Sequence, residues 1–115
     1  MKKINESFFE IKKSKFIGLL YEVDSVMEVY QIISELEKEH KKARHIVYAY
    51  RINSQEKNYS DKEPMGTTRG LLDLIHMKNL DNTLIVVVRY FGGILLGSGP
   101  LTRAYTKTSS MLFIE

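Results

Sequence analysis

Arg89 and Arg103 flank the glycine-rich centre of the stretch "RYFGGILLGSGPLTRAY", residues 89–105, which holds four of the chain's seven glycines and one of its two prolines. An apolar run precedes this stretch and a helical pattern follows it, so it joins a strand to a helix. A helix N-terminus offers unpaired backbone N–H groups and positive potential, which suits an anion without any further motif. Arginine forks suit phosphate better than lysine point charges do. Arg89, Gly92, Gly93, Gly97, Ser98, Gly99 and Arg103 therefore form a candidate anion-binding or nucleic-acid-binding edge. Arg44, His45 and Arg69 are candidate neighbours if the sheet order brings them there. The same glycines equally allow a tight corner whose rim the arginines solvate. Two nucleotide motifs are excluded. A Walker loop requires a lysine after its last glycine, and here Gly97 is followed by Ser98-Gly99-Pro100. The glycine spacing also fails the dinucleotide fingerprint.

A second group lies in "SDKEPMGTTRG", where Asp61 and Glu63 stand near Ser60, Thr67, Thr68 and Arg69. Paired carboxylates can do acid–base work or hold magnesium. With His45 they make an alternative reading, a metal-assisted hydrolase. No second carboxylate cluster stands at a fixed spacing, and a polar loop leading into a helix accounts for the same residues. His40, His45 and His76 show no zinc-protease spacing, and no G-x-S-x-G surrounds any serine. No catalytic residue, resident metal or cofactor follows from these residues, and the reading without catalysis is preferred. Tyr48, Tyr50, Tyr90, Phe91 and Tyr105 accompany the arginines. Such rings stack bases of single-stranded nucleic acid or fill the core of a chain that has no tryptophan.

The elements that must position these groups are legible from periodicity. "FFEIKKSKFIGLLYEV" reads as two strands around a turn near Lys13-Ser14, with Phe9, Ile11 and Lys13 pointing one way and Phe16, Gly18 and Leu20 another. Ser25 and Glu28 spell a capping box, and Val26, Val29, Tyr30, Ile33 and Leu36 form the stripe of a helix. "HIVYAYRI", residues 45–52, alternates as a strand. "NSQEKNYSDKEPMG" reads as a long loop, and a short helix is expected from Thr67 to Met77, burying Leu71, Leu72, Leu74 and Ile75. "TLIVVVRY" is apolar enough to be buried on both faces. Pro100 is expected at the first position of the last helix, whose inward stripe is Leu101, Ala104, Tyr105, Thr108 and Leu112. The sum is about four strands and three helices, an α+β sandwich with helices on a sheet.

Composition bounds the rest. At 115 residues the chain is read as a single domain, 1–115. No apolar run approaches the roughly 18 residues of a membrane span, and no secretory signal precedes the first strand. The absence of cysteine removes thiolate chemistry and fits a cytoplasmic location. Residues 1–40 carry six Lys/Arg against eight Asp/Glu, whereas residues 41–115 carry eleven against six and hold all five arginines. This asymmetry points to an anionic partner.

The blocks "KKSKFIG" (12–18), "ARHIVYAYR" (43–51), "SDKEPMGT" (60–67) and "VVVRYFGGILLGSGPLTRAY" (86–105) resemble, in this order, the IMPACT family N-terminal domain known from YigZ-like bacterial proteins. Arg89, Phe91, Gly92, Gly93, Leu96, Gly97, Gly99, Leu101, Arg103, Ala104 and Tyr105 match the family's glycine signature. Pro100 replaces a glycine there. Ser60 and Lys62 depart from the acidic block, which weakens a metal site, and Thr68-Arg69 replace Ala-Gly. The resemblance implies a fold like the second domain of a small-subunit ribosomal protein, with a left-handed βαβ crossover that is unusual against the general right-handed rule. It also implies that the ferredoxin-like C-terminal domain of many relatives is absent. For function it implies translation or its regulation, through RNA, the ribosome or another ribonucleoprotein surface. A protein-interaction module without nucleic-acid binding is a further alternative. The oligomeric state is not implied.

Overall fold

The computed structural model describes residues 1–114. The chain runs through β1 (Lys2–Ile11), β2 (Ser14–Glu22), α1 (Val26–Glu39), β3 (His45–Ile52), β4 (Gln55–Tyr59), α2 (Gly70–Met77), β5 (Thr83–Tyr90) and α3 (Ser98–Ser110). A 3₁₀ turn at Met111–Phe113 follows. The strands form one sheet in the order β1-β2-β5-β3-β4, and every neighbouring pair is antiparallel.

β5 explains the architecture. Residues 83–89 are all buried, because its two faces serve two separate cores. Ile85 and Val87 join Phe16, Leu20, Val47 and Ala49 beneath α2 and α3. Leu84, Val86 and Val88 join Leu19, Tyr48, Tyr50 and Ile52 beneath α1. A strand placed between two apolar layers must be apolar at every position, as the valine run is. The link from β2 to β3 through α1 therefore crosses over β5.

The sheet has five strands where the sequence suggests about four. β4 lies within the segment read as a loop. It pairs with β3 across a turn in which Asn53 and Ser54 have φ of 51° and 65°. Its residues, QEKNY, are mostly exposed at the sheet edge, so no apolar alternation marks it. Other expectations shift by small amounts. The first hairpin turns at Lys12-Lys13, which takes φ of 48° and 69°. Phe9 pairs with Phe16 across it, and both side chains belong to the α3-side core rather than to opposite faces. In α1, Ile32 is buried and Tyr30 points outward. Ser25 caps by accepting the Glu28 N–H at 3.3 Å, while the Glu28 carboxylate takes the N–H of Asp24 instead of Ser25. α2 starts at Gly70 and buries Leu71 and Ile75. α3 starts two residues before Pro100, with Gly97 as N-cap, and buries the expected Leu101, Ala104, Tyr105 and Thr108.

The glycine stretch is tightest at Gly92. Its N–H donates to Ser14 Oγ at 3.1 Å, and a Cβ on it would meet the Lys13 carbonyl carbon at 2.1 Å. The corner is pressed against the first hairpin, and only a residue without a side chain fits. Gly93 is different, with φ of +92° and open space around it. Gly92→Ala is expected to cost up to about 3 kcal/mol through overpacking against backbone. Gly93→Ala is expected to cost about 1 kcal/mol through backbone strain alone. Urea unfolding of both variants checks the order, and equal losses would mean that the contact with Lys13 is not constraining.

Candidate functional site

Arg89 does not face solvent. It ends the α3-side row of β5, where Phe16 and His45 are its register partners on the two neighbouring strands. Phe16 packs edge-on against Tyr105 of α3 at 5.3 Å between ring centroids. The loop after β4 delivers Glu63 into this corner. Glu63 is buried, and both of its oxygens accept from Arg89 Nη1, at 3.0 and 2.8 Å. The Tyr105 hydroxyl donates a hydrogen bond to Glu63 Oε2. His45 Nε2 lies 3.4 Å from Glu63 Oε1, and His45 Nδ1 lies 3.4 Å from Asp61 Oδ2. Asp61 also accepts the Ile46 N–H at 2.9 Å and the Tyr59 hydroxyl at 3.2 Å. The turn that aims both carboxylates inward puts Asp61 and Lys62 at φ of 49° and 66°.

Asp61, Glu63 and His45 are thus brought together as the hydrolase reading required, but in another role. Glu63 is taken up by a guanidinium and a phenol, with an imidazole 3.4 Å away, so a divalent cation would have to displace Arg89 to reach it. Among the described residues, no three His, Asp or Glu side chains are grouped to hold a metal ion. The arrangement is a buried ion-pair network that fastens the β4–α2 loop to β5, β3 and α3. Burial in the first place, then the bond to Glu63, raise the Tyr105 phenol far above its ordinary range, so it stays protonated.

The remaining arginines do not converge. Arg44 lines a cleft with His45, Lys41 and Asp61, and its guanidinium lies 4.6 Å from the Phe91 ring centroid. Arg69 lines a groove between α2 and α3 beside Met77 and Thr106. Arg103 lines a third depression, with Lys12 and Lys107. Gly97, Ser98 and Gly99 are exposed at the start of α3. A Cβ on Gly99 would lie 3.4 Å from Arg103 Nη1, so the guanidinium folds back over that helix terminus. Of the expected edge, the α3 terminus and Arg103 stay together, while Arg89 belongs to the interior. Sequence reasoning missed Lys12 and Lys107. The i,i+4 spacing of Arg103 and Lys107 carried a signal, whereas Lys12 arrives from the far end of the chain.

The fold and this buried clasp define an α+β domain with helices on both faces of an antiparallel sheet, sealed at one corner by glycines. The chain belongs to the Impact N-terminal domain family, whose sequence model matches residues 12–113. It is 39% identical over 114 residues to "IMPACT family member YvyE" of Bacillus subtilis (strain 168), covering 96% of this chain and 52% of the relative. It is also 39% identical over 102 residues to "IMPACT family member YigZ" of Escherichia coli (strain K12), covering 84% and 50%. The chain therefore spans about half the length of the curated relatives it matches. A crystal structure of a hypothetical protein superposes with a TM-score of 0.89 at 33% identity, over 94% of this chain and 55% of that one. The two-domain translational regulator Yih1 shares the fold at a TM-score of 0.50 and 22% identity, over 95% of this chain and 44% of its own.

Removing one partner of the clasp leaves a buried charge uncompensated. Arg89→Leu is expected to cost about 3–5 kcal/mol in urea unfolding. Tyr105 adds a pH effect. Its folded pKa lies above the ordinary value of 10.0, so the unfolded chain loses this proton first. The contribution is complete below pH 10 and falls by about 1.4 kcal/mol per pH unit above it. Tyr105→Phe should lose about 1–3 kcal/mol at neutral pH and flatten the alkaline decline. An unchanged slope above pH 10 would refute the assignment.

Proposed function

We propose that this domain acts in translation or its regulation, in the cytoplasm, by binding RNA or a ribonucleoprotein surface. Family membership supports the general role, as does the likeness in fold to a protein described as a translational regulator. The observation that carries the binding reading is a cleft of about 360 Å³ between the first hairpin and α3, rimmed by Lys12, Arg103 and Lys107 with no carboxylate among its lining residues. α3 itself contains no acidic residue. The dipole of its N-terminus adds to the field of Arg103 folded over it. Lys12 and Lys13 occupy a left-handed two-residue turn, where Asn-Gly would be the relaxed choice. Cations are thus held at the hairpin tip against local preference. No helix among the described residues is long and apolar enough to cross a membrane.

Phosphate contacts release counterions, so affinity should fall with salt. RNA binding measured across a salt series should weaken in the combined Lys12→Ala, Arg103→Ala, Lys107→Ala variant. The slope of log K against log salt should decrease by about 0.7 for each phosphate that the variant no longer neutralises. Arg69→Ala, in a different groove, should leave the slope unchanged. Binding that ignores salt, or is equal in the triple variant, would sink this reading.

A further inference from the structure

Resting on that reading, we propose that the cleft between the first hairpin and α3 takes a single-stranded nucleic acid, with one unstacked base against its floor. The floor and the rim differ in chemistry. Phe9 and Ile11 of β1 and Pro100 of α3, backed by buried Ala104, supply apolar surface, whereas every charged group lining the cleft is a cation. Phe9 is only partly buried, so its ring both packs on the core and remains open to a ligand. A purely electrostatic phosphate site has no use for an apolar floor. A purely apolar partner would make no use of the three exposed cations on the rim. One ligand satisfying both is a flat apolar ring with phosphates on either side, which describes a nucleotide within a strand.

A duplex does not meet this requirement. Its phosphates can reach Lys12, Arg103 and Lys107, but its bases are stacked and their faces are unavailable to Phe9. A single strand offers each base face at little cost, and aromatic stacking tolerates any base. The volume of about 360 Å³ lies within the range of pockets that hold small molecules. It admits a single base and its sugar. The Arg103 guanidinium, folded over Gly99 at the helix terminus, sits where the flanking phosphate would lie.

The test is fluorescence anisotropy of the intact chain with a short labelled oligouridylate, whose bases are unstacked, and with an RNA duplex of the same length. The single strand should bind about tenfold or more tightly than the duplex, the worth of one stacked base. Phe9→Leu keeps the core contact but removes the ring, and should weaken single-strand binding by about 5- to 100-fold. It should leave duplex binding unchanged and lower the urea midpoint only modestly, since Phe9 is partly buried against the core, and Phe9→Tyr should restore single-strand affinity. If both RNAs bind equally, or Phe9→Leu binds the single strand as the parent does, the single-strand inference is wrong while the RNA reading stands. If neither RNA binds, both fall.

Discussion

The carboxylate of Glu63 is the constraint on which the site depends. An ionised carboxylate withdrawn from water must be matched by charge and hydrogen bonds, or it will not stay there. This one is matched by Arg89 on β5 and Tyr105 on α3, with the His45 imidazole of β3 lying 3.4 Å from its other oxygen. None of these groups is near Glu63 in sequence, so satisfying it requires the sheet and α3 to be assembled. Together with the Asp61 bond to the Ile46 N–H, this fixes the path of the long segment between β4 and α2. Thr67 continues the anchoring, with its hydroxyl donating to the Pro64 carbonyl at 2.7 Å. The clasp thus converts a polar, strand-poor segment into a defined wall of the domain.

What was legible in the sequence follows from the range of the forces involved. The valine run, the α1 cap and the inward stripe of α3 are local patterns with local causes, and the structure reproduces them. β4 was illegible because an edge strand has one neighbour and exposed side chains, so neither face imposes an apolar alternation. Its cause is β3, through the Asn53-Ser54 turn. Tyr30 and Ile32 exchanged roles for a similar reason. Both fit a helical stripe, and the orientation of α1 over the sheet decides which of them is inside. Pro100 was displaced from the first helical position because Gly97 already supplies an extended N-cap with φ of −67° and ψ of 164°.

The candidate site was legible in its residues but not in its grouping. Arg89 and Arg103 bracket the same glycine stretch, and sequence alone assigned them one task. Strand geometry separates them. Arg89 shares a face with Val87 and Ile85, which lies beneath α2 and α3. Arg103 lies on the outer side of α3, one turn before Lys107. Asp61 and Glu63 were placed with His45 only in the alternative hydrolase reading, and the structure does bring the three together, but nothing in their spacing announces a guanidinium 26 residues downstream of Glu63.

This separation has a consequence for how the glycine stretch works. Gly92 is pinned on Lys13 and Ser14, immediately beside the Lys12 that rims the cleft. Arg89 is held by Glu63 just before it, and α3 is held by Tyr105 just after it. The corner therefore fixes the distance between the hairpin tip and the start of α3, the two elements whose cations meet at the cleft. Charges on a flexible hairpin and a loosely docked helix would form only a diffuse field. Held at a set spacing over an apolar floor, they make a site with a shape. In the proposed binding the buried clasp contributes by position and not by contact, and the glycines that looked like a phosphate loop serve it by allowing two backbones to touch.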